Sequence, residues 1–359
     1  MIVRSIAVAR IVARGLCLLM LGAAASLPVS AQTSEAKRPA AAAERKGYPA
    51  REEVRSFIDE LADGHGFVAR DLERWLAAAR FQPRIVELMN RPIVEPPKWF
   101  EYAPPFLAQA RIDAGVAFWN THAATLARAE GELGVPAEVI VAILGVETYY
   151  GRYTGSHRVI DALATLAFDY PRRATFFRGE LREFLLLARE QGFSPLAPKG
   201  SFAGAIGLPQ FMPGSYRRYA IDFDGDGRIE LASSPADAIG SIANYLVRHD
   251  WQPGQPVLLP ATIAPDSREG LIRRLDGGLS ERRKLAAWRA EGASSDALPF
   301  DLTGDPLGIL MLEEGAGEAS FWLAFNNFYV ITRYNRSRLY ATAVWQLAQA
   351  LRAARTPGG

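Results

Sequence analysis

The chain has 359 residues, of which 49% are hydrophobic and 22% charged, which excludes a disordered protein and supplies a sizeable core. Its 41 basic and 39 acidic residues leave a formal charge of +2, too little for a nucleic-acid footprint.

Residues 1–31 read as a secretory signal peptide. Arg4, Arg10 and Arg14 make a basic start, an apolar run fills residues 16–25, and Val29-Ser30-Ala31 has the small-x-small form of a cleavage site. A poorly packed N-terminal helix is the other reading. The apolar run is too short to span a bilayer. Cleavage removes three arginines and no acid, leaving 38 basic against 39 acidic residues, a net charge of −1. It also removes the only cysteine, Cys17. Leu16 before it and the apolar residues after it do not suit lipid attachment. A soluble periplasmic product is therefore expected, without thiols in an oxidising compartment. Thiol catalysis and Cys-ligated zinc are excluded.

Residues 32–47, rich in Ala, Lys and Arg, read as a flexible linker. A helical N-terminal lobe is expected over 48–134. Val54, Phe57, Ile58 and Leu61 fall on one helical face, and further helices are predicted near 70–80 and 105–130. Phe106, Trp119, Leu126 and Leu133 are core candidates. A catalytic core is expected over 135–254, with helices near 136–149, 158–168, 174–191 and 235–248. Residues 255–335 differ. Val257-Leu258-Leu259 and Gly308-Ile309-Leu310-Met311-Leu312 are short β-capable runs among Gly, Asp and Pro, which predicts a small strand-containing lobe. A C-terminal helix near 337–353 and a tail complete residues 336–359. The order fits an α+β fold, predominantly α.

Within 136–149, Pro136 suits a first helical turn and Gly151 a stop. Ile140 and Ile143 lie seven and four residues before Glu147, so this carboxylate shares a face with large aliphatics. A helix this apolar is buried nearly all round. A carboxyl at its end loses solvent, its pKa rises, and it can donate a proton near neutral pH, as glycosidic cleavage requires. The alternative is a solvated glutamate, or one paired with Arg152 or Arg158. Asp161 looks like the N-cap of the next helix. Two cations follow in Tyr170-Pro171-Arg172-Arg173-Ala174. Residues 199–213 are glycine-rich and punctuated by aromatics, so their backbone can approach a ligand closely. Ser201 and Gln210 are natural partners for sugar hydroxyls and acetamido groups.

Gly145-Val146-Glu147-Thr148, Tyr170-Pro171-Arg172-Arg173-Ala174, Gly200-Ser201-Phe202-Ala203-Gly204-Ala205-Ile206-Gly207 and Gln210-Phe211-Met212-Pro213 together resemble the membrane-bound lytic murein transglycosylase B family, in order and spacing over about residues 50–350. The resemblance implies a lysozyme-like core with a single catalytic acid at Glu147. It implies cleavage of the β-1,4 bond between N-acetylmuramic acid and N-acetylglucosamine in peptidoglycan, with the muramic C6 hydroxyl closing a 1,6-anhydro ring. Glu147 then acts first as acid and next as base, and no second carboxylate is required. By the same resemblance Ser201 lies near the acetamido group. Gln210, Tyr245, Tyr334 and Asn335 line the cleft, and Arg172 and Arg173 meet a peptide or muramyl carboxylate. Tyr245 and Tyr334 also read as half-buried core tyrosines. Leu208-Pro209 and Tyr149-Tyr150 depart from the family's Tyr-Gly and Arg-Trp. A lysozyme-type hydrolase using water and a non-catalytic glycan-binding scaffold remain as competing readings.

Asp222, Asp224 and Asp226 occupy positions 1, 3 and 5 of an EF-hand-like loop, with Gly227 at position 6. Ser233 stands where the usual Glu would. Asp237 closes the set through a longer loop, an option the resemblance supports, and Arg228 offers its carbonyl. A structural Ca2+ is the expected cofactor, against the alternative of a solvated acidic turn; no organic cofactor is expected. The expected partners are peptidoglycan glycan strands and other cell-wall enzymes, and the expected state is a monomer. His65, His122, His157 and His249 have no ligand spacing.

Overall fold

The position of the core follows from one short helix whose side chains are apolar on every face. The computed structural model describes residues 47–91, 96–298 and 304–355. The expected signal peptide, with Cys17, and the linker up to residue 46 lie outside the described residues.

Helices α1 (Glu52–His65), α2 (Ala69–Ala78), α3 (Pro83–Met89), α4 (Trp99–Tyr102), α5 (Gln109–Thr121) and α6 (Ala123–Leu133) come first. The expected single stretch over 105–130 is two helices, because His122 at φ −112° and ψ 25° breaks the helical path. The central helix is α7 (Ala137–Thr148). Val139, Ile140, Val141, Ala142, Ile143 and Leu144 are all fully buried in it. Pro136 caps this helix rather than opening its first turn. Its stop is Tyr149 (φ 54°), followed by Tyr150 (φ 59°), not the expected Gly151. Each left-handed tyrosine costs about 1–2 kcal/mol of backbone strain. Burial of the Tyr150 ring offsets it. Its hydroxyl lies where a Cβ on Gly115 or Gly145 would sit, at 2.4 and 2.6 Å, and its ring stacks on Phe118.

Strand β1 (His157–Arg158) leads to α8 (Val159–Asp169) and α9 (Ala174–Glu190). Asp161 is not the cap of α8 but its third residue. The guanidinium of Arg158, the residue just before the helix, takes its carboxylate at 2.6 Å, and the Arg80 amide donates to it at 2.9 Å. The N-terminal lobe is thereby tied to α8, as it is by Arg51 to Asp169 and by the Gln82 amide to Thr165. Strand β2 (Lys199–Gly200) pairs with β1 in a two-stranded sheet, and α10 (Pro213–Tyr219) and α11 (Pro235–Val247) follow.

The strand-containing lobe comprises β3 (Leu258–Ile263), α12 (Pro265–Ile272), α13 (Leu285–Ala290), β4 (Ala293–Ser294), β5 (Gly308–Gly315) and β6 (Glu318–Ala324). Its antiparallel sheet runs β4-β3-β6-β5. Leu271, Trp288, Ile309, Phe321 and Leu323 form a separate small core on one face. Leu310, Leu312 and Ala324 join the main core on the other, as period-2 alternation requires. Residues 326–334 form a helix, α14 (Asn326–Tyr334), at the end of the span read as strand-rich. The final helix, α15 (Arg338–Arg355), packs on α5 and α7. Among the described residues no helix is long and apolar enough to cross a membrane.

Since α15 covers α7, its inward side chains hold up the site as well as the fold. Leu347 on α15 is fully buried in the main core. Leu347→Ala should lower unfolding free energy by about 2–5 kcal/mol in urea titration.

Candidate active site

Glu147 lies in the last turn of α7, where the apolar helix meets the surface, and is only partly exposed. Its Oε1 accepts a 2.6 Å hydrogen bond from the Tyr340 hydroxyl on α15. Loss of solvent raises the Glu147 pKa from 4.5 to about 7, and the Tyr340 bond, which favours the carboxylate, opposes this. The group is therefore poised to hold and release a proton near neutrality. Burial, and then the Glu147 charge, also push the Tyr102, Tyr334 and Tyr340 hydroxyls upward, so all three stay protonated donors.

An aromatic wall continues from the acid. The Tyr334 ring lies nearly parallel to that of Tyr340, at 6.4 Å and 13°. Tyr245 meets Tyr334 at 4.9 Å, and Phe211 meets both. The Tyr245 hydroxyl donates to the Arg333 carbonyl at 2.7 Å, which locks α11 to the end of α14. Two polar atoms of this region are buried without a hydrogen-bond partner among the described residues: the Tyr102 hydroxyl and Asn335 Oδ1. Orphaned groups near a partly exposed acid are what a ligand can satisfy.

The Ser201–Gln210 loop packs against these tyrosines, held by main-chain carbonyls. Thr148 Oγ1 donates to Leu208 O at 2.9 Å, and the Tyr334 hydroxyl donates to Pro209 O. Positions 208 and 209 thus contribute backbone to the wall, which accommodates the Leu-Pro departure. Gln210 is buried at φ 50°, and its Nε2 donates to Gly207 O at 2.8 Å and Thr154 O at 3.1 Å. Ser201 Oγ accepts from the Ala205 amide at 3.0 Å and the Ala203 amide at 3.3 Å. The glycines here answer to the body behind the loop. A Cβ on Gly204 would sit 2.5 Å from Leu163, and one on Gly207 2.4 Å from Leu231 O.

Arg172 and Arg173 occupy the turn between α8 and α9. Arg172 is exposed, whereas the Arg173 guanidinium lies 4.3 Å over Phe176. Burial lowers the Arg173 pKa, and so does the Arg336 charge, one residue beyond Asn335. Glu147 is thus joined through Tyr340 to Tyr334, Tyr245 and the Gln210 loop. Sequence reasoning missed Tyr340 and Tyr102. The available signal was a tyrosine on the apolar face of a helix, since a buried hydroxyl needs a partner.

In the acidic loop, carboxylate oxygens of Asp222, Asp224 and Asp237 lie within 4.8 Å of one another. Asp226 turns its carboxylate to the Arg228 amide at 2.8 Å, and the backbone carbonyl of Arg228 belongs to the same turn. Asp237, almost fully buried, accepts from Phe223 N at 2.8 Å and Glu230 N at 2.7 Å, so it joins both arms of the loop to the first turn of α11. Hard oxygens converging around glycine turns fit an alkaline-earth cation.

A model of the transglycosylase SLT domain matches residues 49–349. The membrane-bound lytic murein transglycosylase B of Escherichia coli strain K12 is 42% identical over 317 residues, 84% of this chain and 83% of that protein. The crystal structure of soluble lytic transglycosylase SltB1 from Pseudomonas aeruginosa is 48% identical, with a TM-score of 0.79 over 85% of this chain and 100% of that one. The E. coli lytic transglycosylase Slt35 in complex with calcium is 42% identical, with a TM-score of 0.76 over 84% of this chain and 93% of that one.

The Tyr340 hydrogen bond stabilises the ionised form of Glu147, so its removal should raise the Glu147 pKa further. Carbon NMR titration of Tyr340→Phe should place the carboxyl midpoint above that of the parent protein. An unchanged or lower midpoint counts against the assignment.

Proposed function

The chain belongs to the transglycosylase SLT domain family, and on that premise we propose that it is a lytic transglycosylase that cleaves the β-1,4 bond between N-acetylmuramic acid and N-acetylglucosamine in peptidoglycan with Glu147 alone. The observation that carries this reading is a desolvated carboxyl with a pKa raised to about 7, bonded to Tyr340 and perturbed by no second acid. Two-carboxylate glycosidases need a partner about 5–9.5 Å away. In the proposed step the protonated Glu147 gives its proton to the glycosidic oxygen as the C1–O bond breaks. The substrate's acetamido oxygen shields the positive charge at C1. The carboxylate then takes the proton from the muramic C6 hydroxyl, whose oxygen bonds to C1 and closes the anhydro ring. Glu147 ends the cycle protonated, so no water is consumed.

Tyr334, Tyr245 and Asn335 line the cleft in this reading, with Ser201 and Gln210 on the facing wall. Ser201 serves the acetamido group. Arg172 and Arg173 take a muramyl or peptide carboxylate. A periplasmic location, after removal of residues 1–31, fits a cell-wall substrate. Asp222, Asp224 and Asp237, with Asp226 and the Arg228 carbonyl, would hold a calcium ion. Bound there, it would neutralise the acids and fix the start of α11, which carries Tyr245.

Glu147→Gln keeps the shape and removes the proton. It should cut turnover of purified sacculi by about 10²–10⁴-fold or more while leaving the melting temperature intact. Mass spectrometry of the parent's products separates the readings. Anhydro-muropeptides support transglycosylation, reducing ends indicate hydrolysis with water, and no products indicate binding alone.

Calcium at about a hundred-fold over its Kd should stabilise the protein by about 3 kcal/mol. In thermal melts, Asp224→Asn should abolish that increment while leaving the calcium-free transition nearly unchanged. Equal gains for both proteins would remove the loop from the binding site.

A further inference from the structure

An exposed aromatic lies just past the catalytic acid and has no task in the chemistry above. Tyr153 is 53% exposed, whereas the neighbouring Tyr149 and Tyr150 are half-buried. Its ring meets Tyr149 edge-on at 6.2 Å and 75°. The exposed Arg152 guanidinium lies 5.5 Å from the Tyr153 ring and 5.9 Å from the Tyr149 ring. Tyr149 is pinned from beneath: its hydroxyl donates to Ala110 O at 2.9 Å, and the buried Arg111 guanidinium lies 4.6 Å from its ring.

The backbone under these side chains is fixed to two separate segments of the chain. Tyr153 N donates to Thr148 O at 2.9 Å, and Gly151 N donates to Thr148 Oγ1 at 3.0 Å, which ties the segment to the turn carrying Glu147. Gln210 Nε2 reaches Thr154 O at 3.1 Å, which ties it to the 201–210 loop. Gly155 presses on Gly200, since a Cβ there would meet Gly200 O at 2.0 Å. A large ring held this firmly and left in water is preorganised for a flat, partly apolar ligand.

We propose that Tyr153, supported by Tyr149 and flanked by Arg152, is an outer saccharide platform that grips the glycan strand beyond the sugars being cleaved. The Tyr153 ring takes the C–H face of a pyranose, whose slightly positive hydrogens match the negative ring face. Arg152 donates to the oxygen substituents at the sugar's edge. The platform touches no reacting atom, so it sets the affinity for long strands and leaves the chemical step alone. This rests on the glycan-cleaving reading above.

The test compares Tyr153→Ala, Tyr153→Phe and the parent on long uncross-linked glycan strands and on a tetrasaccharide too short to reach the platform. Tyr153→Ala should raise KM for long strands by about three- to ten-fold with kcat unchanged, and leave tetrasaccharide kinetics as they were. Tyr153→Phe should behave as the parent, because the ring face and not the hydroxyl makes the contact. An unchanged KM on long strands overturns the proposal. So does an equal loss on both substrates, which would mark Tyr153 as part of the cleavage site or its support. Adsorption of Glu147→Gln to long strands, with and without Tyr153→Ala, reads the platform without turnover. Its outcome therefore stands apart from whether the products carry anhydro rings.

Discussion

One hydrogen bond in a desolvated place organises this molecule. The Glu147 carboxyl ends a helix whose other faces are core, so water reaches it from one side only. Burial favours its neutral form, and the Tyr340 hydroxyl at 2.6 Å favours its ionised form. Burial is the larger effect, yet the bond keeps the pKa close to 7. A carboxyl wholly in water would be ionised at neutral pH and a poor donor. One buried without the hydroxyl would be a poor acceptor. The two opposing influences let a single side chain serve in both directions.

Both influences depend on chain segments far apart. Tyr340 stands 193 residues beyond Glu147, on the helix that seals α7 from solvent. The element that desolvates the acid also supplies its hydroxyl, so folding and chemistry cannot be separated at that seam. The small sheet lobe contributes through its second face, where Leu310 and Leu312 enter the main core. The acidic loop acts through Asp237 and α11, and so through Tyr245, whose bond to Arg333 O sets the aromatic wall.

What could be read in the sequence was whatever is written in local spacing. The apolar periods gave α7, α9, α11 and α15 to within one or two residues, and singled out Glu147 from the aliphatics four and seven positions before it. Alternation and turn residues marked the strand lobe, although α14 at its end has too short an apolar pattern to stand out. Contacts made across the fold were not legible. Asp161 has the residue type of a cap, but Arg158 and the Arg80 amide engage its carboxylate. Gly204 and Gly207 suggested close approach of a ligand, whereas Leu163 and Leu231 behind the loop require them. Tyr340 could not be paired with Glu147 by any spacing rule. Asp222 and Asp224 were legible because loop periodicity places oxygens inward, whereas Asp237 lies beyond that period and was reached only through a longer loop and the family resemblance.

The end of α7 makes the same point from the side of strain. A glycine stood two residues away to stop the helix, yet the chain turns left-handed at Tyr149 and Tyr150. Local preference loses because the Tyr150 phenol fills the gap between Gly115 and Gly145, a space no smaller side chain would close. Tyr149 at the same bend is fixed from below by Arg111 and Ala110 O. Ending the helix on two aromatics therefore does two things at once. It packs α5 against α7, which stiffens the turn that aims Glu147. It also leaves the following residues, Arg152 and Tyr153, exposed to solvent. The exposed Tyr153 ring thus follows directly on the turn that stops the helix carrying Glu147.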